Sequence, residues 1–199
     1  MARRGGGWLH WWVAAPTAEH AQAAAAAGFA PYRHLHRMER PLPLPDEPYE
    51  LRWRPFRPGV DDAAWLDVNR QAFSTHPIQG TMIQEDLDRA KGEPSFAPAG
   101  FVIASVGYQI TGFCWTKIHH NTRPPVGEIY IIGVHPHYQG RHLGRALVLA
   151  GLDWLHGQGL RIGMLYVETN NAPAVRLYRR LGFTIVHDFR CWRHQVAAA

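Results

Sequence analysis

Hydrophobic positions recur along the chain in short runs, some with the two-residue period of a strand and others with helical spacing. Ala64, Trp65, Val68 and Ala72, for example, share one side of a helix. The pattern predicts helices at residues 17–27, 61–73, 140–156 and 171–181, and one starting at Thr81. It predicts strands at residues 8–14, 32–39, 50–54, 101–106, 111–118, 128–134, 164–168 and 183–193. Strands alternating with helices, plus a hairpin around Gly107, indicate an α/β (or α+β) fold with a mixed sheet.

Several predicted helix ends carry residues that favour such positions. Thr17 is suited to cap the first helix, and Gly28 to follow its last residue. The segment Thr81-Met-Ile-Gln84 fits a capping box, in which two side chains bond to each other's backbone amides. Gly182 is placed to end the last helix.

A proline-rich stretch from Pro41 to Pro48 divides the chain. Proline fixes φ and removes an amide donor, so this stretch predicts an extended connector. The predicted organisation is a small piece at residues 1–40, a connector at 41–49 and the main domain at 50–199.

The small piece repeats a pattern found near the end of the main domain. Trp11-Trp-Val-Ala-Ala-Pro with Gly28-Phe29 aligns at one offset with Leu165-Tyr-Val-Glu-Thr-Asn with Gly182-Phe183. The match is either a coincidence between two strand–helix–strand pieces or the trace of a second, degenerate copy of the domain. We interpret it as the degenerate copy, because alanines fill its helix and no chemically active side chains remain there.

The composition limits the class of protein. The chain has 199 residues, 46% of them hydrophobic and 12% aromatic, which excludes disorder as the main state. No run approaches the ~18 apolar residues of a membrane span. The net charge of +5 is spread along the chain, whereas a nucleic-acid binder concentrates it on one face. This pattern favours an anionic small molecule over nucleic acid as partner.

The cysteines and histidines indicate neither disulfides nor a metal. Cys114 and Cys191 cannot form a disulfide framework, and glycines rather than an apolar segment follow Arg3 and Arg4. The expected location is therefore the cytoplasm. Thirteen histidines occur without an HExxH or CxxC spacing, so no metal site is expected. Cys114 lies within a predicted strand, which favours a buried structural thiol over a nucleophile.

The chemically informative segment joins a predicted buried strand ending at Val134 to a helix through the loop Gln139-Gly-Arg-His-Leu-Gly144. The first amides of a helix have no partner inside it, and the helix dipole adds about half a positive charge there. Such a loop is suited to hold a pyrophosphate. It fits neither the Walker pattern nor GxGxxG.

Two further features accompany this loop. Gly133 lies inside the apolar strand, where it predicts a bulge that would free backbone groups to pair with an extended ligand arm. Asn171 and Tyr178 are seven residues apart and so share one helix face, with Ala174 between them.

These motifs resemble the GNAT acetyltransferases. The resemblance rests on the strand–Gln-x-x-x-x-Gly–helix order followed by Asn-x-x-Ala-x-x-x-Tyr-x-x-x-Gly-Phe. Within that family, Gly112-Phe-Cys-Trp-Thr-Lys117, Gly127-Glu-Ile-Tyr-Ile-Ile-Gly-Val, Asn69-Arg-Gln-Ala-Phe73 and His76-Pro77 resemble the C-terminal half of the mycothiol synthases. The similarity covers about residues 50–195, and those proteins carry two GNAT domains.

The resemblance implies transfer of acetyl from acetyl-CoA to the cysteine amine of cysteinyl-glucosaminyl-inositol. It implies a GNAT fold, whose sheet is mixed but mostly antiparallel and is flanked by helices. The acetyl-CoA contacts it implies are Ile132, Gly133, Val134, Gln139, Gly140, Arg141, His142, Leu143, Gly144, Arg145, Asn171, Ala172, Pro173, Ala174, Val175 and Arg176. The substrate contacts it implies are Lys117, Glu128 and Tyr166.

Two residues are candidates for proton transfer. An amine acceptor must lose a proton before it attacks a thioester, and Glu128 at the start of the strand can take it, directly or through a water. Tyr178 can protonate the departing thiolate. The alternatives are a carboxylate paired with Lys117 or an arginine, and an ordinary core aromatic.

The chain departs from that family at three positions. His142 stands where the loop usually has glycine, His135 replaces an aspartate, and Ile78 stands where members have a glutamate. Most of the first GNAT domain has no counterpart here.

The sequence is also compatible with other functions. They are acetylation of a peptide N-terminus, polyamine or amino acid, and non-catalytic binding of acyl-CoA. Trp8, Trp11 and Trp12 in the N-terminal piece could form a dimer surface or cover a sheet edge.

Overall fold

The structure, a computed structural model, describes residues 6–43, 48–76 and 78–197. Residues 44–47 in the predicted connector, the first five residues (with Arg3 and Arg4), Pro77 and the last two residues lie outside these ranges. The described strands are β1 (Gly7–Ala14), β2 (Ala30–Pro41), β3 (Trp53–Pro55), β4 (Phe101–Val106), β5 (Gln109–His119), β6 (Val126–Val134), β7 (Ile162–Glu168) and β8 (Thr184–Val196). The described α-helices are α1 (Ala18–Ala26), α2 (Asp62–Ala72), α3 (Gln84–Lys91), α4 (Leu143–Gly157) and α5 (Ala172–Arg180).

The chain forms two compact units. The first unit comprises residues 1–39 and 166–199, and the second comprises residues 40–165. In the second unit, β6, β5, β4 and β3 pair antiparallel in that order, and β7 pairs parallel with β6. This confirms the predicted mixed, mostly antiparallel sheet.

The second unit packs an aromatic core against one face of its sheet. Trp65 of α2 meets the rings of Phe101, Phe113 and Trp115 edge-on, at centroid distances of 5.5, 5.5 and 5.7 Å. All four side chains are buried. The glycine spacing of β5 and β6 allows α4 to approach the opposite face, since a Cβ on Gly127 would lie 2.7 Å from Leu155. The sheet is thus covered on both faces within this unit.

The first unit is built on an antiparallel sheet in which β8 pairs with both β1 and β2. Trp11 and Trp192 pack with their ring centroids 5.5 Å apart, and Trp11 also meets Phe29 edge-on. Thr17 caps α1 as predicted, since its side chain accepts a hydrogen bond from the His20 amide. The predicted strand–helix–strand order is observed in both copies of the repeat, as β1-α1-β2 and as β7-α5-β8. That the first copy is the remnant of a degenerate domain stays a prediction.

Several element boundaries differ from the predictions, and the differences at Thr81, β3 and α4 bear on the site. Thr81 belongs to a short 3-10 turn, where its hydroxyl donates to the Ile78 carbonyl (2.7 Å), so the capping box predicted there is wrong. Helix α3 starts later, with the Asp86 carboxylate accepting from the Ile83 amide (3.2 Å). Strand β3 covers Trp53–Pro55 instead of 50–54, and α4 begins at Leu143 instead of 140.

No helix within the described residues is long and apolar enough to cross a bilayer.

Candidate active site

A β-bulge interrupts the pairing of β5 with β6. Trp115 lies opposite Ile131 and Thr116 lies opposite Ile129, so Tyr130 is the extra residue. The bulge was predicted at Gly133, which is wrong, because Gly133 pairs regularly with Phe113. Glycine is needed there for close approach, since a Cβ would lie 2.8 Å from the Phe113 ring and 3.2 Å from the Ala72 Cβ.

The bulge lies where the pairing of β6 changes. Gly127, Glu128 and Ile129 pair in parallel with Gly163, Met164 and Leu165. Beyond them, the described part of the second unit pairs the rest of β6 on one side only, with β5. Within this unit, the other backbone edge near Ile132 and Gly133 is therefore available to an extended ligand.

The loop after β6 is held by side-chain bonds to its own backbone. The Nδ1 atom of His135 accepts a hydrogen bond from the His137 amide (3.2 Å) and so caps a 3-10 turn at Pro136–Tyr138. An aspartate, which the family resemblance places here, would cap the turn in the same way. The Gln139 amide group donates to the Val134 carbonyl (3.2 Å) and ties the loop to the strand end.

The start of α4 presents backbone amides that the helix itself cannot use. The Ala146 amide bonds to the His142 carbonyl (3.2 Å), and the amides of Leu143 and Gly144 come before it. Two left-handed residues shape the approach, Gly140 with φ 76° and His142 with φ 59°. The positive end of the helix dipole adds to the attraction for an anion.

A groove of about 520 Å³ adjoins this helix start. Its basic lining residues are Arg52, Arg141, His142 and Arg145. Arg145 also donates to the Pro48 carbonyl (3.3 Å), and the Arg141 guanidinium lies 5.6 Å from the Tyr138 ring centroid. The second unit therefore combines open amides with a basic surround, which fits an anionic group such as a pyrophosphate.

His142 occupies a backbone conformation that costs a non-glycine residue about 1–2 kcal/mol. We expect His142→Gly to raise the free energy of unfolding by about 0.5–1 kcal/mol, because glycine adopts φ 59° without strain but loses more chain entropy on folding. Urea denaturation measures this change. Gly140→Ala is the matched control, since nothing lies within 4 Å of its added Cβ and its φ is 76°. It should destabilise the protein, and equal stability of all three proteins would contradict the left-handed geometry.

Four polar side chains form two contacting pairs close to the bulge between β5 and β6. The Lys117 ammonium lies 2.6 Å from the Glu93 carboxylate and 3.7 Å from the Tyr130 ring centroid. The Oε2 atom of Glu128 lies at hydrogen-bond distance, 2.7 Å, from His119 Nε2. Both Lys117 and Glu128 are buried, with 7% of each exposed.

The ion pair between Lys117 and Glu93 balances the charge of the lysine ammonium. The hydrogen bond from Lys117 lowers the pKa of Glu93, which stays ionised and neutralises the ammonium. The predicted alternative for Glu128, pairing with Lys117 or an arginine, differs from the contact observed, which is with His119. Sequence reasoning missed His119 and Glu93. The signal for His119 was its position two residues after Lys117 on the same strand face.

The remaining predicted site residues belong to the first unit. Tyr166 is 41% exposed and packs against Phe189, with ring centroids 5.6 Å apart. The Asn171 side chain caps α5 by accepting from the Ala174 amide (3.2 Å). Tyr178 is buried beside Phe183, at a centroid distance of 5.8 Å. Each of these residues has a structural contact in its own unit.

Ile78 lies in the turn that follows α2. Its side chain is 47% exposed, and its amide and the Gln79 amide both donate to His76 Nδ1, at 3.2 and 2.9 Å. The buried Asn69 holds the turn from below by donating to the Gln79 carbonyl (2.7 Å). The position that resembles an acceptor contact is thus held in a defined turn, with an apolar side chain.

Two other candidate chemistries find no support. Cys114 is fully buried, and burial raises the pKa of its thiol, so it is unsuited to act as a nucleophile. Among the residues that the structure describes, no group of three or more His, Cys, Asp or Glu side chains could hold a metal ion.

Comparison with known proteins gives a consistent family. A family model described as the acetyltransferase (GNAT) family matches residues 32–183. A mycothiol acetyltransferase of Catenulispora acidiphila is 45% identical over 189 residues, which cover 92% of this chain and 60% of that protein. One of Thermobispora bispora is 46% identical over 187 residues, covering 90% of this chain and 63% of that protein. The chain thus spans roughly three fifths of the length of these curated relatives.

Solved structures agree on the fold. A GCN5-related N-acetyltransferase from Sphaerobacter thermophilus has a TM-score of 0.74 at 22% identity, covering 98% of this chain and 62% of that chain. A tandem GNAT protein from the clavulanic acid biosynthesis pathway has a TM-score of 0.67 at 14% identity, with coverages of 96% and 65%. At such identities the likeness shows the fold alone, and it confirms the GNAT fold expected from the sequence motifs.

Proposed function

Since the chain belongs to the acetyltransferase (GNAT) family, we propose that it is an acetyl-CoA-dependent N-acetyltransferase that acts on a primary amine. The observation that carries this proposal is the start of α4, where the amides of Leu143 and Gly144 open onto a loop with two left-handed residues. Acetyl-CoA, when bound, supplies the acetyl thioester. An anion site that follows directly on a bulged strand suits a ligand with a pyrophosphate and an extended arm.

We assign the cofactor contacts to three segments. Ile132, Gly133 and Val134 would hold the pantetheine arm through backbone groups, and residues 139–145 would hold the pyrophosphate. Residues 171–176 would flank the arm. The glycine at 133, which leaves no room for a side chain, and the open amides at 143 and 144 support this assignment.

Glu128 is the proposed base, and Lys117 and Tyr166 the proposed acceptor contacts. The Glu128 carboxylate keeps Oε1 for an acceptor because the observed hydrogen bond from His119 uses Oε2. Taking the proton from an ammonium breaks an N–H bond and forms an O–H bond on Oε1, which leaves the amine lone pair free to attack. Tyr178 would then donate its proton to the departing thiolate.

Gly144→Glu tests the assignment of the anion site. The carboxylate would lie among amides meant for a phosphate, and we expect the Kd of CoA to rise by at least about ten-fold, as the loss of one charged contact would cause. Isothermal titration calorimetry measures the Kd. Gly157→Glu is the control, because it puts the same side chain at the exposed far end of α4. An unchanged Kd in Gly144→Glu, with the melting temperature near wild type, would contradict this site.

The acceptor we propose is a cysteinyl amino sugar, as in mycothiol synthesis. The curated relatives carry the name mycothiol acetyltransferase. The resemblance to that family implies that Lys117, Glu128 and Tyr166 contact the acceptor. Ile78 differs from that family, and an apolar side chain cannot bond to a sugar hydroxyl or an ammonium. The expected consequence is a high KM for cysteinyl-glucosaminyl-inositol.

Ile78→Glu should lower that KM by roughly ten- to a hundred-fold, the value of one charged contact of about 1.5–3 kcal/mol. Steady-state kinetics with cysteinyl-glucosaminyl-inositol, a polyamine, an amino acid and a peptide amine measure this. Val60→Glu, at an exposed valine before α2, is the control for added charge. Rapid acetylation of a peptide amine or polyamine, with the sugar ignored by both proteins, would reject this acceptor and keep the acetyltransferase. Binding of acetyl-CoA without turnover of any amine would instead favour a non-catalytic module.

A further inference from the structure

The contact between His119 and Glu128 follows from the register of β5 and β6. Lys117 lies directly opposite Glu128, and Val126 lies opposite His119. Residues two apart on a strand point to the same face, so His119 flanks Glu128 diagonally. The ring reaches the carboxylate with Nε2 2.7 Å from Oε2.

The direct neighbour of Glu128 on the opposite strand is bound elsewhere. The Lys117 ammonium is 2.6 Å from Glu93, just after α3, and lies over the Tyr130 ring. Tyr130 follows Glu128 by two residues on β6, so its ring lies on the same face as Lys117. A lysine paired with Glu128 would hold the carboxylate in an ion pair, which makes a poor base. Glu93 and Tyr130 prevent this by holding the ammonium.

We propose that His119 is a positioning residue for Glu128, an inference that rests on the proposed function. A neutral imidazole with the hydrogen on Nε2 donates to Oε2 and fixes the carboxylate. The other oxygen, Oε1, keeps the lone pair that accepts the proton from the amine. The Glu128 side chain is 9% exposed and that of His119 is 31% exposed, so the carboxylate is the more buried member of the pair.

His119 differs from a catalytic residue in what it touches. It contacts Glu128 and transfers no proton in this scheme, so its effect should pass entirely through the orientation of one carboxylate. Misplacing a reacting group by about 1 Å can cost on the order of 100-fold in rate. Loss of the ring should therefore lower kcat and leave the binding of acetyl-CoA unchanged.

The test compares His119→Ala with His119→Gln, because the glutamine side-chain nitrogen lies close to the position of Nε2 and can donate to the same oxygen. We expect kcat to fall about 10- to 100-fold in His119→Ala and to recover most of that loss in His119→Gln, with the KM for acetyl-CoA unchanged in both. If His119 only supported the strand, the His119→Gln substitution would not selectively restore kcat.

A double-mutant cycle separates positioning from an independent effect. If His119 acts through Glu128, adding His119→Ala to Glu128→Gln should lower kcat by less than about three-fold more. Losses that multiply in the double variant would overturn the proposal. Full activity of His119→Ala would do so as well, while the acetyltransferase assignment would stand.

A measurement on the protein without substrates tests the contact itself. The ¹⁵N chemical shifts of the His119 ring, assigned by comparison with His119→Gln, should report a hydrogen on Nε2 in the neutral ring. A ring with its hydrogen on Nδ1 would overturn the proposal even if the enzyme is active. If the wild-type chain acetylates no amine, the proposed function fails, and the role of His119 fails with it.

Discussion

Glu128→Gln should lower kcat at pH 7 by about 10²- to 10⁴-fold, the usual contribution of a positioned general base. Glutamine has nearly the same shape as glutamate, and its carbonyl oxygen can still accept the hydrogen bond from His119. What it loses is the ability to take a proton from the acceptor. The affinity for acetyl-CoA, measured by calorimetry, should stay near wild type, because the assigned cofactor contacts lie further along the chain.

The pH dependence gives the second half of this test. Without a base, the rate follows the fraction of acceptor that is already a free amine, so kcat/KM of Glu128→Gln should rise about ten-fold per pH unit until the amine is deprotonated. Glu85→Gln, at an exposed carboxylate on α3, is the control and should follow the wild-type profile. Wild-type activity of Glu128→Gln at pH 7 would exclude Glu128 as the base.

The sequence predicted correctly those features whose conformation depends on residues close together in the chain. The cap at Thr17 and the strand–loop–helix order around Gln139 depend on residues a few positions apart, and the structure contains them. The glycine-bearing loop could be proposed as an anion site for the same reason, since amides at a helix start lack partners whatever surrounds them.

Predictions that depended on pairing across strands were less accurate. The bulge at Tyr130 results from the register between β5 and β6, and nothing in the sequence of β6 alone distinguishes it from a bulge at Gly133. Thr81 likewise bonds to Ile78 within a turn held by Asn69, a contact that a capping pattern does not include. Tertiary contacts decided both positions.

The candidate site shows the same division. The sequence predicted that Glu128 and Lys117 belong to one site, but it did not predict their partners, His119 and Glu93. Lys117 and Glu93 are 24 residues apart, and the ion pair forms because the end of α3 lies beside β5. The sequence thus suggested candidate site residues, whereas the contacts of their charged groups depend on the fold.

Tyr178→Phe should lower kcat about 100-fold, at the low end of the contribution of general acid catalysis. A phenol of ordinary pKa ~10 can protonate a thiolate of ordinary pKa ~8.5 at a cost of about 2 kcal/mol, and removing the hydroxyl leaves that step to solvent. Tyr178 is buried beside Phe183, so the same position also fits a core aromatic. The substitution separates the two roles, because phenylalanine keeps the ring and deletes only the oxygen.

The melting temperature and kcat together decide between these roles. If Tyr178 is the acid, kcat should fall while the melting temperature and the KM for acetyl-CoA stay near wild type. Tyr108→Phe makes the same chemical change at a fully exposed tyrosine in the turn between β4 and β5, and it should leave all three quantities unchanged. A Tyr178→Phe protein with wild-type kcat would assign the ring to packing alone, and the proton for the departing thiolate would then have to come from solvent or another residue.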